Sequence, residues 1–264
     1  MMNKKRIARE LTRIARGLVS SWEVVNTEGK YKNFTGIIDW KGSSGKVTRA
    51  TFELDRNGIV WKDGIWDSGV WNDGVWNGGV WKRGGWEKGT WRDGTWELGE
   101  WKKGVWCDGI WEDGIWKRGI WKDGIWKRGT WVDGHRWDGT WKSGRWKNGI
   151  WKGGTWEDGT WENGIWWYGI WKNGTWRGGT WENGLWWDGR WESGIWESGT
   201  WKDGKWENGT WEDGTWWDGT WGGGTWWDGT WVNGTWKDGN WKDGTWDWGK
   251  DNHGVGYSDS PDNW

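Results

Sequence analysis

Ile110-Trp111-Glu112-Asp113-Gly114 is one unit of a five-residue pattern, Trp-x-x-Gly-x, that runs unbroken from Trp61 to Gly249. Gly64, Gly69, Gly74 and every fifth residue after them, as far as Gly249, is glycine. Tryptophan keeps the same spacing except at Arg136, where the indole slips one place to Trp137. So short and strict a period identifies a stacked solenoid, in which each repeat touches only its neighbours.

The residue before Trp is most often Thr, Ile or Val, and Trp is usually followed by Lys or Glu, then Asp, Asn or Ser, then Gly. β-Branched and aromatic residues favour the extended state. Asp-Gly and Asn-Gly favour tight corners, because Gly accepts the positive φ that a corner needs. Each unit therefore reads as a three-residue strand such as Thr-Trp-Lys followed by a two-residue corner. Side chains alternate along a strand, so Thr/Ile and Lys/Glu face one way and Trp the other. Charges avoid the interior, so Trp points inward. A buried indole N–H needs an acceptor; the corner Asp or Asn, or a carbonyl of the adjacent coil, is the expected partner.

In its period the stretch 61–249 resembles the pentapeptide-repeat family, a right-handed quadrilateral β-solenoid with four five-residue sides per coil. Gly109-Ile110-Trp111-Glu112-Asp113 is one such unit, with Trp at the large inward position and Gly at the small one. A larger ring beside a smaller neighbour roughly keeps the volume of a close-packed layer. The additional indoles Trp137, Trp167, Trp187, Trp217 and Trp227 lie ten residues or a multiple of ten apart. That spacing suits coils of ten or twenty residues and disfavours fifteen, and the resemblance favours twenty. The expected fold is all-β: a solenoid of five-residue sides with an inward Trp stack, preceded by an amphipathic helix and a small β-rich cap.

Composition narrows the function. The 264 residues carry 46 Trp and 52 Gly against one Pro, with a net charge of −1. A general nucleic-acid binder should carry a basic excess, and an acidic mimic of DNA is equally excluded. Many aromatics and a near-zero net charge argue against disorder. A single cysteine, Cys107, rules out an intrachain disulfide framework and a cysteine-based zinc site. At an outward Lys/Glu position it should be exposed. No apolar run approaches the roughly 18–20 residues of a membrane span, and no secretory signal peptide is legible. A virion or cytoplasmic location is the expectation.

Residues 1–20 read as a basic amphipathic helix. Ile7, Leu11, Ile14 and Leu18 recur at helical spacing, while Lys4, Lys5, Arg6, Arg9, Arg13 and Arg16 occupy the other side against a single Glu10. Such a helix suits docking or capping, contact with an anionic surface or a partner, or removal on maturation. Its phrase Arg6-Ile7-Ala8-Arg9-Glu10-Leu11-Thr12-Arg13-Ile14-Ala15-Arg16 resembles helices that open many tailed-bacteriophage structural proteins. Residues 21–60 read as a β-rich cap, with strands expected at 23–25, 34–40 and 46–54 separated by Gly- and Ser-rich turns. Such a cap protects the open end of a solenoid from edge-to-edge pairing. Residues 250–264 read as a polar tail that either folds over the last coil with Trp264 as an anchor or stays exposed.

Catalytic machinery is not legible, and no catalytic, cofactor or metal residue is assigned. His135 lies in the one irregular unit, where a tolerated bulge explains it, and His253 lies in the tail. An active site is a constellation unlike its surroundings; this chain offers repetition. Asp63, Asp73, Asp93, Asp108 and Asp113 could be considered for calcium, but Arg83, Lys88, Lys103, Arg118 and Arg128 hold the same position elsewhere and would repel a cation. The candidate binding surface is Trp167, Trp187, Trp217 and Trp227, which replace Lys or Glu at the outward position. Clustered exposed aromatics mark partner or glycan surfaces. The Thr run from Thr210 to Thr235 would form a second, flat ladder of the kind that binds ice, crowded by Glu207, Glu212 and Lys237. These features point to a non-enzymatic rigid scaffold, structural or interacting, in a bacteriophage virion or as an accessory protein, with a protein partner or self-association. The competing class is a glycan- or protein-binding module that uses its outward Trp residues.

Overall fold

The computed structural model describes residues 22–25, 29–55, 58–250, 256–257 and 261. No α-helix occurs among them. The helix expected over 1–20, with Lys4, Lys5, Arg6, Arg9, Arg13 and Arg16, lies outside the described residues. The chain forms two compact units, Met1–Gly124 and Ile125–Trp264.

The first unit opens with β1 (Trp22–Val25), β2 (Gly29–Trp40), β3 (Ser43–Asp55) and β4 (Gly58–Trp71). β1 pairs in parallel with β2, and β2 pairs antiparallel with β3. β3 in turn lies antiparallel along β4, from Asp55 opposite Gly58 to Ser44 opposite Val70. β4 is the first coil of the repeat, so β3 covers its whole edge, bending with the corners through register shifts near Val47 and Thr51. Strands expected at 34–40 and 46–54 lie within β2 and β3. The cap continues the aromatic interior: Tyr31 stacks on Phe52 at 4.8 Å, and Phe52 lies 5.7 Å from Trp61, nearly parallel to it.

After β4 and β5 (Gly74–Trp76), each side from Val80 to Trp246 contributes a two-residue strand, the residue before Trp and Trp itself, with Arg136 in the Trp place once. In the first unit Glu100 pairs with Ile115 and Trp101 with Trp116, in parallel. In the second, Thr155 pairs with Ile170 and Trp156 with Trp171. The partner is always fifteen residues away, so a coil has three five-residue sides. Two backbone hydrogen bonds hold each side to the preceding coil. The Glu157 N–H donates to the Trp141 carbonyl at 2.7 Å, and the Thr160 N–H to the Gly144 carbonyl at 2.9 Å.

This corrects both the quadrilateral coil and the preference for ten or twenty residues. The interior has the same threefold build. Trp156 meets Trp161, the next ring of its layer, edge to face at 6.0 Å and 73°. It stacks on Trp171 of the next coil at 4.7 Å and 6°. All three rings are fully buried, and each coil supplies three such indoles. Burial of about 150–250 Å² per indole, at about 25 cal/mol/Å², gives an upper bound of about 4–6 kcal/mol for each ring.

The invariant Gly is required twice over. Gly159 has φ of 126°, which side-chain-bearing residues rarely adopt. A Cβ there would also lie 2.5 Å from the Gly144 carbonyl oxygen of the coil beneath. The preceding Asp secures the corner, since Asp158 Oδ1 accepts the Gly159 N–H at 2.7 Å. The second unit ends with an antiparallel pair, Gly249–Lys250 against Gly256–Tyr257. Part of the expected tail thus pairs back on the chain; Trp264 lies outside the described residues.

Candidate interaction surfaces

Because the coil is fifteen residues, outward side chains fifteen apart form files along each of three faces. In the second unit the first face carries Ile150, Ile165, Thr180 and Ile195 before Trp, in register. The second carries Thr155, Ile170, Leu185 and Thr200. The third carries Thr160, Thr175, Arg190 and Lys205.

Trp167, Trp187, Trp217 and Trp227 are exposed, between 39% and 52%. They do not form one stripe. Trp167 and Trp227 belong to the first face with Trp137, while Trp187 and Trp217 belong to the second. A lysine also stands between neighbours. Lys152 Nζ lies 5.4 Å from the Trp137 ring centre and 4.7 Å from that of Trp167. Lys202 Nζ lies 4.2 Å from the Trp217 ring, with Trp187 on its other side in the file. Each such contact stabilises by about 0.5–1 kcal/mol at an exposed site. The threonines separate in the same way: Thr210 pairs with Thr225, Thr215 with Thr230 and Thr220 with Thr235, on three different faces. The continuous flat ladder expected from Thr210 to Thr235 is absent for that reason.

On the third face of the second unit the carboxylates are paired with cations. Arg145 and Arg177 both reach Glu162; Arg177 and Arg190 reach Glu192; Arg190 and Lys205 reach Glu207. Hydrogen bonds from Arg190 and Lys205 hold the Glu207 carboxyl below its ordinary pKa, and Glu207 raises that of Arg190. On the first face, by contrast, Glu182, Glu197 and Glu212 follow one another in a single file. None of the three forms an ion pair among the described residues. Burial, and then the charge of Glu197, push the Glu182 carboxyl above its ordinary pKa.

The irregular unit is not a bulge. His135 and Arg136 pair in register with Ile150 and Trp151. Arg136 therefore occupies a Trp position, fully buried, and Trp137 takes the outward place. The guanidinium lies 3.8 Å from the Trp151 ring centre, and its Nη1 donates to the Gly153 carbonyl at 3.5 Å. Two indoles use the same direction: Trp206 donates to the Gly223 carbonyl and Trp231 to the Trp248 carbonyl, both at 3.1 Å. Of the two acceptors expected for the indoles, the carbonyl of the adjacent coil serves these two. The corner carboxylates turn instead onto the Gly N–H. Indoles such as Trp151, Trp156 and Trp161 have no hydrogen-bond acceptor among the described residues, and their surroundings are the stacked and edge-on rings.

Asp63, Asp73, Asp93, Asp108 and Asp113 each accept the next Gly N–H through Oδ1. Asp73 also pairs with Lys88 one coil on, at 2.9 Å. The five are divided among all three corners, and no cluster able to hold a metal ion occurs among the described residues. Cys107 is half-buried rather than exposed. His135 is exposed, and His253 lies outside the described residues. No helix among the described residues is long and apolar enough to cross a membrane.

The fold and surface define a class, a repeat-built parallel β-solenoid with a tryptophan interior, consistent with a pentapeptide-repeat-like architecture of three-sided coils. Comparison with protein-family models, with curated proteins and with solved structures finds no match.

Proposed function

We propose that the protein is a non-enzymatic scaffold whose role is structural or interactive. The observation that supports this reading is the interior of each unit, where inward positions are filled by stacked indoles. The polar chemistry lies on outward files, where part of it is held in ion pairs. Within this reading the chain serves in a bacteriophage virion or as a virus-encoded accessory protein, or acts in the cytoplasm. The virion placement rests on the resemblance carried by residues 6–16. Hydrogen exchange tests the scaffold: slow exchange at the side strands throughout the repeat is expected, and rapid uniform exchange would contradict it. Peptide mass spectrometry of purified particles tests the placement, with recovery only from host lysate counting against a virion.

A second reading, a binding module for glycan or protein, draws on the exposure of Trp167, Trp187, Trp217 and Trp227. The split between two faces restricts any one ligand to Trp167 with Trp227, or to Trp187 with Trp217. Glycan-array binding that is lost in the first pair's Lys variant and kept in the second pair's would support it. Absence of binding by the wild type would end it.

A further inference from the structure

The first face of the second unit places two dissimilar files side by side. One file is Ile165, Thr180, Ile195 and Thr210, with Ile165 and Ile195 exposed. The other, two residues along each strand, is Trp167, Glu182, Glu197, Glu212 and Trp227. Residues two apart on a strand are about 6.6 Å apart and point the same way, so a stripe of alternating isoleucine and threonine adjoins an acidic one. The acidic stripe is bounded by exposed indoles at both ends. Carboxylates on the third face pair with arginine and lysine of the same and adjacent coils, whereas these three have no cationic partner among the described residues. At the adjoining corner Asp213 and Asp228 add charge of the same sign.

The sequence contains a complement. Read as a helix, residues 3–20 put Ile7, Leu11, Ile14 and Leu18 on one stripe, bordered by Arg6 and Arg13, each one residue and so about 100° round the axis from Ile7 and Ile14, with Arg9 and Arg16 beyond them. From Lys4 to Arg16 a helix rises about 18 Å. Trp167 and Trp227 are four coil steps apart, about 19 Å at about 4.8 Å per step. Successive arginines rise about 4.5–6 Å, close to one coil step.

We propose that this face is a docking surface for residues 3–20 of a second copy of the chain, the basic side lying along Glu182, Glu197 and Glu212 and the apolar stripe along Ile165 and Ile195. The contact is heterologous, with one region of a copy on a different region of the next, so repeated use joins copies into open chains. It rests on the scaffold reading and names that scaffold's partner.

The test uses the full chain. One variant carries Glu182→Lys, Glu197→Lys and Glu212→Lys; the other carries Arg6→Glu, Arg9→Glu and Arg13→Glu. All the substituted glutamates are outward-facing, and circular dichroism confirms the fold. Sedimentation velocity of wild type should show concentration-dependent association that salt suppresses. Each variant alone should associate at least about tenfold more weakly. An equimolar mixture should regain association, because each reversed stripe meets a reversed segment. A wild type that stays monomeric at all concentrations, or variants that associate as wild type does, would overturn the proposal. Either result leaves the scaffold reading to its own test by hydrogen exchange. Two variants that remain apart when mixed would also count against it.

Discussion

Gly84 and Gly85 are neighbours that should respond in opposite ways to the same substitution. Gly84 is a corner glycine with φ of 134°, and a Cβ on it would run into the Gly69 carbonyl of the coil beneath. Gly85 precedes Trp86, pairs with Val70 and Glu100, and would offer a Cβ open space. For Gly84→Ala the unfavourable backbone region costs about 1–3 kcal/mol. Prising two coils apart against their hydrogen bonds adds about 1–3 kcal/mol by analogy with overpacking. The expected loss is therefore about 2–6 kcal/mol. For Gly85→Ala the flexible backbone of the unfolded chain is restrained and nothing is displaced, so a gain of up to about 1 kcal/mol is expected. Urea unfolding followed by circular dichroism measures both. Hydrogen exchange at the coils containing Gly69, Gly84 and Gly99 shows whether the loss is local, as nearest-neighbour coupling in a solenoid requires. Equal shifts for the two variants would refute the reasoning, because only the local geometry distinguishes them.

Three further outcomes follow from particular side chains. Trp166→Ala, which removes a fully buried ring, should cost about 3–5 kcal/mol. Trp167→Ala, its exposed neighbour, should cost no more than about 1 kcal/mol, and calorimetry separates the two. Exchanging Arg136→Trp with Trp137→Arg restores the repeat and should raise stability by about 1–3 kcal/mol, since an apolar ring replaces a buried cation; a lower midpoint would contradict this. The third outcome concerns pH. The Glu207 pKa is depressed by Arg190 and then Lys205, so its contribution is present above the unfolded value of about 4.3 and is lost as pH falls through the folded value. Glu207→Gln should then weaken the fold at pH 7 and have no effect near pH 2–3. Glu182, whose pKa is raised, carries the opposite sign, so Glu182→Gln should be neutral or stabilising at pH 7. Matching pH profiles for the two variants would count against this assignment.

Much of the architecture was legible because it is local. The strand-and-corner reading of each unit, inward Trp, outward charge and the strictness of Gly follow from alternation and turn chemistry within five residues. The coil size was not legible from the extra indoles. Trp137, Trp167 and Trp227 share one face, Trp187 and Trp217 another, and pooling them produced spacings of ten that belong to no single file. A better signal lay in complementary residues fifteen apart: Glu87 with Lys102, Glu157 with Lys172, and Lys152 flanked by Trp137 and Trp167. Arg136 misled for a different reason. A displaced indole suggests a shifted backbone, whereas the pairing stays in register and the arginine enters the stack, held by Trp151 and the Gly153 carbonyl. The run Glu182, Glu197, Glu212, without an ion pair among the described residues, could be recognised only once the fifteen-residue file was known.

The number of sides per coil is tested most directly by paired cysteines on an outward file, with Cys107→Ser in the background. Glu212→Cys is combined in turn with Glu197→Cys, Glu192→Cys or Lys202→Cys, spacings of fifteen, twenty and ten. Mild oxidation bridges only cysteines whose Cα atoms lie within about 4.4–6.8 Å, which adjacent coils at about 4.8 Å satisfy. Rapid intramolecular bridging of the Glu197 and Glu212 pair alone is the result the three-sided coil predicts. Preferential bridging of the Glu192 and Glu212 pair, or of the Lys202 and Glu212 pair, would contradict it.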